Sequence, residues 1–171
     1  MVGALILFLW QFLSNAALDL HRGMQQYTPK QAEILNYLNE HLEEGFYFLP
    51  NVPEGTSAQE EQKAMEDGMG KPWAQIYFHK SMTMNMGLNL ARGFIIDFVI
   101  VLLICWILQK MANPSAQTIM LACLSVALIS YLSTFYLNSI WYETKTLVDL
   151  LDGLVSFGAL GAWLAWWLKR Q

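Results

Sequence analysis

The chain has 171 residues, of which 55% are Ala, Val, Ile, Leu, Met, Phe, Trp, Tyr or Cys and only 14% are charged. Soluble domains usually carry about 25% charged residues, so this composition excludes a disordered tail, a coiled coil or an ordinary solvated enzyme domain. A formal net charge of −4 with no basic stripe excludes nucleic acid as a partner.

In chain order, residues 1–18 hold no charged side chain and read as a first transmembrane helix. Ser14-Asn15-Ala16 has the small-x-small form of a leader cleavage site, but no basic residue precedes it, so the segment is expected to stay as a span. Residues 93–110 contain a single acid, Asp97, and residues 117–138 and 147–168 complete a set of four apolar runs. Backbone satisfaction in hydrocarbon leaves helix as the form for each. The expected fold class is therefore membrane all-α, with four transmembrane helices and a small α+β extracytoplasmic insert between helices 1 and 2.

That insert, residues 19–92, carries six basic and ten acidic residues. Thr28-Pro29-Lys30-Gln31 is expected to cap a helix whose apolar face is Ile34, Leu35, Leu38 and Leu42, ending by Gly45. Ser57 is expected to cap a second, polar helix through about Asp67. Residues 46–49 and about 74–80 are expected to pair as a two-stranded ribbon. The alternation continues through Met82, Met84 and Met86. Lys110, Lys169 and Arg170 fall on one side if four helices alternate. This places both termini in the cytoplasm and residues 19–92 in the periplasm of a bacterial inner membrane, as a multi-pass protein.

Few residues carry candidate chemistry. Met82, Met84 and Met86 follow His79, and thioethers are soft ligands that select Cu(I); packing at an interface is the competing reading. Asp97 is an acid inside a span, and with Arg92, Asp149 and Asp152 it forms a candidate charge cluster. Its simplest role is an interfacial salt bridge. Gly158, Gly161, Ala162 and Ala165 form a small-residue stripe suited to close helix packing. Trp163, Trp166 and Trp167 beside Lys169-Arg170 have the composition of an interfacial belt. Cys105 and Cys123 both fall in apolar segments and read as small buried hydrophobes. The chain has no GxSxG, HExxH, P-loop or GxGxxG pattern, so enzymatic activity is not expected.

Three short patterns carry a resemblance: Trp10 and Ser14 with His21 seven residues later, Gly45-x-Tyr47-x-x-Pro50, and Gly70 with Pro72. With the order of one helix, an insert and three helices, the chain resembles an uncharacterised family of small bacterial four-helix integral membrane proteins. The resemblance implies the architecture and no assigned activity. The expected function is that of a non-catalytic accessory or interaction subunit of an inner-membrane complex. No cofactor is expected, and the partners would be the lipid bilayer and other membrane subunits or a second copy. The alternatives are periplasmic Cu(I) handling through the methionine cluster and a small transporter using Asp97.

Overall fold

Long apolar runs leave few side chains to compete for the backbone, and in this chain they form long helices. In the computed structural model, which describes residues 1–170, the protein is mostly helical with one two-stranded sheet. It divides into two compact units, residues 1–26 with 85–170, and Tyr27–Met84.

In the first unit, α1 (Val2–Phe12) runs on through a π turn at Leu13–Ala17 and stops where Asp19 takes a left-handed φ of 49°. A short 3-10 turn, Leu20–Met24, follows. The helix from residue 86, called α4 in chain order, covers Met86–Gln109. It starts seven residues before the expected position 93, because the Asn85 side chain accepts from Leu88 N–H and caps it. Ser115 caps α5 (Ala116–Ser130) through Thr118 N–H, and the helix continues through a second π turn, Tyr131–Tyr136, into α6 (Leu137–Tyr142). It therefore runs past the expected end at 138. The last helix, α7, covers Leu147–Leu168.

Met86–Gln109, Ala116–Tyr142 and Leu147–Leu168 are long and apolar enough to cross a membrane. Val2–Ala17 is apolar but shorter. At 1.5 Å per residue it reaches about 24 Å, against a hydrocarbon core of about 30 Å.

The first helix of the chain lies between the others: α1 packs on α4 on one side and on α7 on the other, and α7 packs along α5. Leu7, Val101, Ile104, Ile119, Cys123 and Leu160 form the centre of the core. Small residues set the closest approaches. A Cβ built on Gly161 would lie 3.1 Å from Cys123 Cβ and 3.2 Å from Met120 Sδ. One on Gly3 would lie 2.8 Å from Leu160 Cδ1 and 2.9 Å from Val101 Cγ1. Gly161 and Ala165 of the small-residue stripe are buried and Gly158 faces Leu124, while Ala162 is exposed.

The second unit holds α2 (Gln31–His41), β1 (Gly45–Leu49), α3 (Ala58–Gly68) and β2 (Ala74–Phe78). Its boundaries lie inside the expected 19–92. Residues 20–24 belong with the membrane unit, and residues 86–92 are the first turns of α4. The Thr28 capping box does not form. Thr28 Oγ1 accepts from Lys30 N–H instead, so α2 begins at Gln31 without a side-chain cap. The Ser57 cap does form, with Glu60 completing a capping box. β1 and β2 pair antiparallel with Phe46 opposite Tyr77 and Phe48 opposite Gln75. The strand ends at Phe78, where Lys80 turns away to bond Glu44 through its backbone N–H and to pair with Glu43 through its ammonium.

Candidate functional site

One group of polar side chains in the membrane unit collects around the C-terminal turns of α1. Trp10 and Ser14 are four residues apart and so share one face. That face meets α7 at Asp152. Trp10 Nε1–H donates to Asp152 Oδ1 at 3.1 Å. The Ser14 hydroxyl donates to the same carboxylate, 2.7 Å from Oδ1 and 2.9 Å from Oδ2. The 3-10 turn then returns His21, whose Nε2 stands 3.4 Å from Asp152 Oδ2. One carboxylate thus gathers three side chains from a segment about 140 residues away in sequence. Ser14 is fully buried within its π turn. Such wide turns recur at functional sites because the extra residue per turn re-aims a side chain.

Gln11, one residue on from Trp10, faces the other neighbour. Its Nε2–H donates to Asp97 Oδ1 at 2.9 Å. Asp97 is 1% exposed, and its Oδ2 has no hydrogen-bond partner among the described residues. His21 Nδ1 is buried in the same condition. Two acids therefore flank a single turn of α1, Asp152 from α7 and Asp97 from α4. An unsatisfied polar atom away from water is costly, which makes these two orphan atoms the chemically open points of the site. The second π turn lies at the start of α7, where Tyr131 and Thr146 hydroxyls bond at 3.0 Å.

The expected charge cluster is only partly assembled. Asp149 lies one turn before Asp152 on α7. Arg92 is exposed, and no ion pair joins it to Asp97, Asp149 or Asp152 among the described residues. The expected salt bridge between Asp97 and Arg92 is not formed, because residues five apart on a helix point about 140° away from each other. The partner of Asp97 is an amide from another helix.

The candidate copper ligands, His79, Met82, Met84 and Met86, are all exposed. His79 is exposed beyond the end of β2, and Met82 is 89% exposed in an irregular segment. Met84 ends one compact unit, whereas Met86 opens α4 in the other. Among the described residues no group of three or more His, Cys, Asp or Glu side chains is arranged to hold a metal ion.

Sequence reasoning placed Asp152 in a cluster but missed Gln11 altogether, and it connected Trp10, Ser14 and His21 only by their pattern. The signal available was an i,i+3/i+4 set of polar groups (Trp10, Gln11, Ser14) on an otherwise apolar helix. No family model, curated protein or solved structure matches the chain. The fold by itself defines a class, a helical membrane-embedded protein with three helices able to span a bilayer.

Proposed function

We propose that the chain is a non-catalytic, four-span integral membrane protein of a bacterial inner membrane, acting as an accessory or interaction subunit. Residues 27–84 would be its periplasmic contact surface. The observation that carries this reading is the surface of that unit. Phe78 is its one buried hydrophobic residue, while Phe46, Trp73, Tyr77, Ile34 and Leu35 are all exposed. Phe46 stacks on Tyr77 at 4.6 Å between ring centroids and Phe48 lies 5.8 Å from Trp73, so one face of the ribbon presents a row of aromatic rings. Exposed apolar surface on this scale marks an interaction site, and aromatic residues are enriched at such sites.

The fourth span rests on packing. α1 buries Ala4 and Leu7 between α4 and α7, and exposes Leu5, Leu9 and Phe12 on its other face. A helix clamped between two spans with an apolar outer face belongs in the same hydrocarbon layer, and modest mismatch is absorbed by local thinning. Lys110, Lys169 and Arg170 at one end of the bundle support cytoplasmic termini.

The test is extraction from native membranes in a mild detergent, followed by native mass measurement. The expected species is heavier than the 19.5 kDa protomer, and Phe46→Ser with Tyr77→Ser returns it to the protomer while leaving membrane insertion intact. A wild-type protein that is strictly monomeric and partner-free overturns the proposal. A second reading, a small transporter using Asp97, is favoured by the orphan Oδ2 of that buried carboxyl. Unchanged proton and cation flux in Asp97→Asn proteoliposomes removes it.

A further inference from the structure

α4 is seated mainly on α1, and beside it an apolar cleft of about 620 Å³ opens along the membrane unit. Phe98, Leu102 and Cys105 line one wall from α4, and Trp163 and Trp167 line the other from α7, with Lys169 at its end. The lining on α4 extends from Phe98 to Gln109, a rise of about 16 Å at 1.5 Å per residue. A single leaflet of a bilayer is about 15 Å deep, half of the hydrocarbon core. The cleft therefore has the length of one acyl chain's layer, and its volume lies within the range of small-molecule sites.

The side chains at the rim have a single sign of charge. Among the described residues Lys110, Lys169 and Arg170 are the charged side chains at this end, and neither 98–142 nor 153–170 contains an Asp or Glu. Lys110 lies over the Trp106 ring at 5.6 Å and Arg170 over the Trp166 ring at 4.2 Å, so both cations are held at the level of the belt. We infer that the cleft holds one acyl chain of an anionic phospholipid whose phosphate lies against these three cations. Basic residues beside spans attract the anionic lipids of the cytoplasmic leaflet. This site lies wholly within the membrane unit, and it stands or fails independently of any partner held by residues 27–84.

The test incubates the full chain, purified in a mild detergent, with phosphatidylglycerol or with phosphatidylcholine of the same acyl chains. Native mass spectrometry then reads the lipid retained. The wild type is expected to keep one phosphatidylglycerol, preferred by about tenfold or more over phosphatidylcholine. Leu102→Trp, a change at an exposed position on the cleft wall, is expected to lose both lipids. Replacing Lys110, Lys169 and Arg170 together by Gln should abolish the preference while leaving weak retention of either lipid. The native Cys105 thiol supplies a second readout, because maleimide should label it several-fold more slowly when phosphatidylglycerol is bound. Equal retention of the two lipids by the wild type, unchanged retention in Leu102→Trp, or equal labelling of Cys105 with and without lipid overturns the inference.

Discussion

Asp152→Ala is the most informative single substitution, because one carboxylate accepts from two side chains of α1 and faces His21. The three losses differ in size. Trp10 loses a charge-assisted hydrogen bond, a loss of about 1.5–3 kcal/mol. Ser14 is buried in a helix and its hydroxyl can turn back to the carbonyl four residues earlier, so its loss is smaller, about 0.5–1 kcal/mol. His21 and Asp152 are 26% and 23% exposed at their side chains. Solvent screens that pair, which adds at most about 1 kcal/mol. The sum is about 2–5 kcal/mol. For a chain of this length each kcal/mol moves the melting midpoint by about 2–4 °C, so a drop on the order of 10 °C is expected. Asp152→Asn keeps one acceptor oxygen and should fall between wild type and Ala. The assay is thermal unfolding of the full chain in detergent micelles, followed by near-UV circular dichroism. A cycle with Trp10→Phe should show coupling of about 1–2 kcal/mol with Asp152→Ala. If Asp152→Ala melts within a degree of wild type, or if Trp10→Phe and Asp152→Ala are additive, the carboxylate does not organise this end of α1.

Other substitutions follow from the same geometry. Gly161→Ala should destabilise by about 1–3 kcal/mol through its 3.1 Å contact with Cys123 Cβ. Gly158→Ala meets only Leu124 Cδ2 at 3.7 Å, so it should be neutral or gain up to about 1 kcal/mol in helix propensity. Thermal melting of the pair checks both signs. Ser57→Ala should destabilise α3 by about 0.5–2 kcal/mol, seen as faster amide exchange over residues 58–62. Glu60 is held below the ordinary carboxylate range by hydrogen bonds from the Ser57 side chain and backbone. A group whose folded value is depressed contributes stability at higher pH and loses it as pH falls through the folded value. Protection of α3 amides should therefore fall on acidification below the ordinary glutamate range, and Glu60→Gln should flatten that dependence.

Local features were legible without the fold. Apolar runs disclosed the long helices, because a helix in hydrocarbon needs mostly apolar side chains along its length. Ser57 with Glu60 disclosed the start of α3, since a capping box is complete within four residues. The ribbon was legible from two short aromatic runs, and β1 and β2 fall on them. Thr28 shows the limit of such reasoning. Its hydroxyl has two nearby backbone donors to choose from, and it takes Lys30 N–H, which moves the helix start by two residues.

The polar site belongs to tertiary structure. Helical periodicity states that Trp10 and Ser14 share a face and that Gln11 points elsewhere, but it does not state which helices border those faces. Only the packing of α1 between α4 and α7 directs Trp10 and Ser14 to Asp152 and Gln11 to Asp97. The charge rule that pairs Asp97 with Arg92 treats proximity in sequence as proximity in space, and the rotation of about 140° between them defeats it. The order of apolar residues along the chain thus pointed to a membrane-embedded protein and to where its long helices run, because hydrophobic partition sums over residues one at a time. Which carboxylate meets which donor was decided by helix neighbours and by the small residues that let them approach, and those are properties of the assembled bundle.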